Sequence, residues 1–344
     1  MPTETVYGLA GAALDPIALA RIFETKERPT FDPLIIHVGM SAKRVAELDR
    51  LGLGNSKKLS PAAIDIANLL MASFWPGPLT LVLPKNDQVP DLATSGLPTV
   101  AVRMPKHSTA QALIAAAGTP LAAPSANRFG RISPTSAADV FSELGDRIHW
   151  IIDGGRCEIG VESTILAISE DGKLALLRPG GLAVEDIERV SKMTVARTPV
   201  AKPAPAEQST DASQPSPLQP VPLAPGMLES HYAPRKKLLL LPTSLSDLNS
   251  LPTGWKLEGR VGLLTIGNRA QIASAKWKTI SGQEPLCISL SESGSLQEAA
   301  RNLFHSLREL DQSDASVLVS EPCLDLTGLG YAIGDRLRRA SSAK

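Results

Sequence analysis

Cysteine is scarce in this chain. Cys157, Cys287 and Cys323 are three in 344 residues, odd in number, widely spaced and without a C-x-x-C pair. That argues against a disulfide framework and against a zinc site, and a reducing, cytoplasmic setting is expected. Net charge is absent too, because 35 basic residues stand against 35 acidic ones. A chain-wide pull on nucleic acid or on a membrane surface is therefore missing, and any RNA contact must be local. No basic segment followed by a long apolar one marks a signal peptide near the start. The one long uncharged run, IANLLMASFWPGPLTLVLP, has nineteen residues. Pro76 and Pro78 around Gly77 split it into a helical half and a strand-like half, each too short to cross a bilayer. No G-x-x-x-x-G-K-S/T phosphate loop occurs, and GLGYAIG (Gly328, Gly330, Gly334) has one residue too many for a dinucleotide fingerprint. It reads as the glycine-eased start of a helix.

Hydrophobic residues make up 43% of the chain, ample for packed cores, and its length favours two unequal domains. The sharpest compositional break runs from Ala196 to Pro225, with eight prolines and little apolar surface to bury. The expected division is residues 1–195, a Pro-rich tether over 196–235, and a smaller domain over 236–344. The first region alternates strand and helix. PLIIHV, LTLVL, TVAVR, STILAI and LALLR are β-rich runs, while Asp15-Pro16, Ser60-Pro61 and Ser136-x-x-Asp139 mark helix starts. An α/β fold with a mixed sheet follows. In the second region KKLLLLPT, RVGLLTI, PLCISL and SVLVS, with the helical LQEAARNLFHSLREL, predict a small Rossmann-like α/β layer structure.

Candidate functional residues cluster at strand ends. Lys26 and Arg28 close the first helix, where cations also complement the helix dipole, and Asp32 and His37 sit in the following turn and strand. Arg103 closes an apolar strand, where a guanidinium is costly unless it meets an anion or opens into a cleft. PLAAPSANRFGRISPTS supplies Ser125, Asn127, Arg128, Arg131 and Ser133 among small residues that let a ligand approach the backbone. Glu162 and Ser163 begin one strand, and Arg178 leaves another before Pro179-Gly180. Loops at strand ends are where α/β folds hold ligands. Within the tether, Met227, His231 and Tyr232 suit either a pocket lid or a simple anchor.

PTETVYGLA, KERPTFDPLIIHV, FWPGPLTLVL, VAVRMPKH, PLAAPSANRFGRISPTS, GVESTILAI, LLRPGG and HYAP, in this order, resemble the threonylcarbamoyl-AMP synthase family. Its two-domain members end like GLGYAIGDRLRRA. The resemblance implies a YrdC-type twisted mixed sheet, followed by the smaller Rossmann-like domain. It also implies a nucleotidyltransferase that joins L-threonine, bicarbonate or carbon dioxide, and ATP into L-threonylcarbamoyl-AMP and pyrophosphate. Mg²⁺ accompanies ATP, and a separate transferase complex passes the group to tRNA. Block by block, threonine falls to Thr5, His37, Arg103, the backbone at Ala123, and Ser163. ATP falls to Arg28, Asp32, Thr99, Ser125, Ser133, Arg178 and Tyr232. Lys26 and Arg28 take the catalytic role of offsetting phosphate charge, Thr5 and Tyr7 become pocket wall, and Tyr232 becomes the lid. No protein nucleophile or dedicated metal site is implied.

Two departures stand out. Family members carry a helix and a strand ahead of PTETVYG, so either one sheet strand is missing here or the start codon is misplaced. Asp32 stands where asparagine is expected. The competing reading is a non-catalytic RNA-binding module of the same fold, which zero net charge disfavours and which would bind salt-dependently without regard to threonine. Carbamoyl-adenylate chemistry from carbamoyl phosphate is the other, and the zinc-finger cysteines that go with it are missing.

Overall fold

The computed structural model describes residues 1–197, 222–255, 257–267 and 270–342. Most of the Pro-rich stretch, 198–221, lies outside the described residues. Two sheets organise the rest. The first contains β1 (Gly11–Ala12), β2 (Ile35–His37), β3 (Leu79–Pro84), β4 (Thr99–Arg103), β5 (Leu121–Ala122), β6 (Thr164–Ile168), β7 (Leu174–Arg178) and β8 (Val195–Arg197). Their order is β1-β5-β2-β4-β3-β6-β7-β8. β2 runs parallel to β4, β3 to β6 and β7 to β8, and the other four neighbours are antiparallel. The mixed sheet expected from the sequence is present, with β1 and β8 added, runs too short to leave a periodic trace.

The helix starts follow the local chemistry. Asp15 accepts from the Ile17 N–H ahead of Pro16–Lys26, Ser60 accepts from Ala63 ahead of Pro61–Phe74, and Ser136 with Asp139 forms a reciprocal capping box ahead of Ala137–Leu144. The long uncharged run divides as its prolines require, into the helix Pro61–Phe74 and strand β3. No helix among the described residues is long and apolar enough to cross a membrane.

The second sheet contains β9 (Leu238–Leu240), β10 (Val261–Thr265), β11 (Leu286–Ser289) and β12 (Val317–Ser320), all parallel, in the order β11-β10-β12-β9. GLGYAIG does open a helix, Gly328–Ser341. That helix and Leu296–Gln312 face the first sheet's domain. Phe304, Leu307, Ile333 and Leu337 share one apolar cluster with Val6, Ile132 and Val161. Buried Arg308 adds a 2.8 Å bond to Glu143 and a 2.9 Å bond to the Ile132 carbonyl.

Candidate active site

Strand direction brings the strand-end residues together. β4 and β2 are parallel and place Arg103 beside His37 at their C-terminal ends. β3 runs antiparallel to β4, so Thr80 near its start pairs with Arg103. β6 follows β3, putting Ser163 at that same end, and β7 returns antiparallel and delivers Arg178 opposite Ile165. One edge of the sheet therefore collects groups from residues 37, 80, 103, 163 and 178.

A cavity opens there, walled by Thr5, His37, Arg103, Ala123, Ser125, Ser163, Arg28, Arg178, Glu162, His231 and Tyr232. Its free volume is about 50 Å³, room for only a few waters. Nine of the thirteen sequence-assigned residues line it. Of the remaining four, Lys26 lies directly behind, where its buried ammonium donates to the carbonyls of Ser125 and Asn127. Asp32 is fully buried behind Arg28. Ser133 is buried and donates to Glu162 at 2.6 Å rather than facing the open space. Thr99, the fourth, pairs with Pro84 at the opposite end of β4, roughly 13 Å along the strand from Arg103, and is not brought to the cavity. Tyr7 is likewise not pocket wall. The Thr3 hydroxyl accepts from the N–H groups of Thr5 and Val6 and bends the chain, and Tyr7 then points into a separate core where its hydroxyl donates to Gly155 O at 2.7 Å.

The cavity has two halves. In one, Arg103 donates to Thr5 Oγ1 at 2.7 Å, to Glu4 Oε1 at 2.6 Å and to Gly77 O at 3.1 Å. Burial works against the Glu4 charge, but Arg103 and the Lys106 N–H outweigh it and hold the carboxyl below its usual range. Burial, with Arg103 nearby, pushes His37 down to about 3, so its imidazole is neutral at physiological pH. Ser163 Oγ shares a hydrogen bond with Thr80 Oγ1 at 2.8 Å. A guanidinium, a neutral imidazole and hydroxyls are the partners an amino acid's carboxylate and side-chain hydroxyl require.

The other half is rich in cations. Arg178 donates to Ser163 O at 3.0 Å and to Pro225 O at 3.1 Å. Arg28 donates to Pro33 O at 2.7 Å and lies 2.9 Å from Asp32 Oδ2, yet neither Asp32 oxygen receives an aligned hydrogen bond. Burial opposes the charge on Lys26, Arg28 and Arg178, and Arg28 further depresses Lys26. Burial also pushes the Asp32 carboxyl up despite Arg28. A polyanion entering here would relieve all three cations at once.

The tether covers the cations. Gly226, at φ +76°, lets the chain pass Arg178, since a Cβ there would sit 2.5 Å from the Tyr232 hydroxyl and 3.0 Å from Arg178 Nη1. The Tyr232 ring meets His231 edge-on and Phe304 at a tilt, with centroids 4.1 and 5.6 Å away. Two participants escaped the sequence reading: Glu4 was visible only as an acid between two threonines, and Thr80 as a polar residue in an apolar strand.

Known proteins match this chain in sequence and fold. A family model described as "Telomere recombination" matches residues 1–180, and one described as "Threonylcarbamoyl-AMP synthase, C-terminal domain" matches 182–342. The threonylcarbamoyl-AMP synthase of Pyrococcus abyssi is 39% identical, over 99% of this chain and 89% of its own length. That of Bacillus subtilis is 37% identical, over 100% and 89%. A crystal structure of P. abyssi Sua5 complexed with L-threonine superposes with a TM-score of 0.76 at 36% identity, over 99% of this chain and 89% of that one. The charged cavity at one edge of a mixed sheet, with the parallel-sheet domain behind it, thus comes with matches along its whole length: the chain belongs to the threonylcarbamoyl-AMP synthase family of enzymes.

Proposed function

We propose that this enzyme is a nucleotidyltransferase that makes L-threonylcarbamoyl-AMP and pyrophosphate from L-threonine, bicarbonate or carbon dioxide, and ATP. The observation that carries this is the single cavity with an amino-acid-like half around Arg103 and Thr5 and a cation-rich half around Arg28 and Arg178. The threonine complex of the P. abyssi relative supports the first half. Threonine's amine captures carbon dioxide. The carbamate oxygen then forms a bond to the α-phosphorus of ATP while the bond to pyrophosphate breaks. Holding the two in line and offsetting charge is then the protein's task, without a covalent intermediate.

In this reading Arg103 and Thr5 orient the threonine carboxylate, neutral His37 and Ser163 face its polar groups, and Ala123 supplies backbone. Lys26, Arg28 and Arg178 offset phosphate charge, with Ser125 beside them. The small free volume requires the His231–Tyr232 segment to shift when ATP enters, after which it excludes water from an easily hydrolysed product. Mg²⁺ fits as a cation carried by the nucleotide. Among the described residues no group of three or more His, Cys, Asp or Glu could hold a metal, and Asp32 has both oxygens free of hydrogen bonds. Asp32 lies behind Arg28 and is ion-paired with it, so the phosphates themselves would hold the ion, which would offset triphosphate charge when bound. A catalytic domain over 1–195, a lid-bearing tether over 196–235 and a C-terminal domain over 236–344 belong to the same proposal. So do a cytoplasmic setting and a transferase complex that consumes the product for tRNA modification.

The test is steady-state pyrophosphate release from ATP. It should require both threonine and bicarbonate, and an equal rate with serine or with no amino acid would refute the reading.

A further inference from the structure

Glu162 is an awkward residue for a nucleotide pocket. Its buried carboxylate lines the cavity beside Arg28, Arg178 and Ser163, where an uncompensated negative charge would repel a triphosphate and compete with it for the same guanidinium groups. Both oxygens are occupied. Ser133 Oγ donates to Oε1 at 2.6 Å, and Arg336 Nε, from the helix Gly328–Ser341, donates to Oε2 at 2.8 Å. The Arg336 side chain is wholly buried. Its Nη1 donates to Pro179 O at 2.9 Å, in the turn directly after Arg178, and its guanidinium carbon lies 5.0 Å from the Tyr232 ring centroid. Asp335 holds it from its own helix at 2.9 Å. One guanidinium of the second domain therefore touches the cavity wall, the turn beyond Arg178 and the lid tyrosine, without itself lining the cavity.

We propose that Arg336 is a positioning residue for the nucleotide half of the site, neutralising Glu162 and steadying the Pro179 turn and the Tyr232 ring, so that the C-terminal domain completes the pocket's charge balance. This rests on the ATP- and threonine-using reading above. Simple domain adhesion is the competing role, and Arg308 provides its control. It is also buried and also bridges the two domains, but its partners Glu143 and Ile132 lie outside the cavity lining.

The experiment measures pyrophosphate release and melting temperature on full-length Arg336→Met, Arg308→Met and Glu162→Gln/Arg336→Met. Arg336→Met should raise KM for ATP about tenfold and KM for threonine less than about twofold. The double variant should recover most of that loss, because the charge needing compensation is gone. Arg308→Met should lower the melting temperature with no such split. Equal shifts in both KM values, no recovery in the double variant, or the same ATP-selective loss in Arg308→Met would overturn the proposal. If Arg336→Met does not fold, the double variant decides alone: an ATP requirement near that of the unmodified chain supports the proposal, and one raised about tenfold overturns it. Failure of the functional reading is distinguishable, since the unmodified chain would then release no threonine-dependent pyrophosphate, and the proposal would fall with it.

Discussion

The two sheets are built from similar short apolar strands and finish very differently. Those of the first end in Arg103, His37 and Arg178 around a cavity. Two of the four in the second end in hydroxyls that bond to loops at the same edge, Ser289 to Gly267 O at 2.6 Å and Ser320 to Glu321 O at 2.9 Å, while Thr265 at the end of β10 is buried without a partner among the described residues and Glu321 accepts from Leu245 N at 2.8 Å. Three of the second domain's buried charges, Asp335, Arg336 and Arg339, instead gather on one helix turned toward the tether and the first domain, Arg339 reaching Met227 O at 2.8 Å. A sheet edge becomes a ligand site where buried charge is left to be completed by something else. Where the loops complete it themselves, the edge is structural, and the domain contributes through the charge it hands across.

The largest expected break in this contrast comes from Arg103→Ala. It leaves Glu4 buried without its cation, a change worth roughly 3–5 kcal/mol in such pairs. The threonine requirement should rise by about 100-fold or more and the ATP requirement far less, read from saturation curves for each substrate. An equal rise in both would erase the distinction between the two halves of the cavity.

Acid should weaken the first sheet more than the second. His37 is buried with its pKa down near 3, against an ordinary 6.5, whereas His305 of the second domain is exposed. Below about 6.5 the unfolded chain gains a proton that the native imidazole refuses, so stability falls as pH drops toward 3. Between pH 7 and 5 that loss is about 2 kcal/mol from His37, and buried His231 adds to it in the same direction. Urea unfolding at the two pH values should show it, and His37→Gln should flatten the difference. A slope unchanged by that substitution would count against the neutral buried imidazole.

The smallest effect belongs to the second sheet's surface. Arg260 and Asp314 pair at 2.8 Å but are 47% and 67% exposed. Arg260→Ala should change stability by less than about 0.5 kcal/mol in thermal melts and leave pyrophosphate release unaltered.

Legibility in the sequence followed burial and local chemistry. The four strands of the second sheet and β2, β3, β4, β6 and β7 stood out as apolar runs, and the caps at Asp15, Ser60 and Ser136 stood out because each satisfies its own helix's N–H groups. Two-residue β1 and three-residue β8 carry no such pattern. Arg103 was noticeable because a guanidinium closing an apolar strand demands a partner, but nothing local said that the partner was Glu4, 99 positions away. Thr99, in the same strand, shows the converse, since its neighbours in sequence gave no warning that it lies at the far end from the cavity.

Alone, the order of residues determined which segments pair or coil, where helices begin, and which side chains are too polar for their surroundings, because each depends on neighbours within a few positions. Which of those polar groups meet was decided by strand direction in the folded sheet: alternation brings Arg103, Ser163 and Arg178 to one edge and carries Thr99 to the other. Arg336 reaches Glu162 only because two domains pack across 174 positions of chain, and no local pattern encodes a contact made by docking.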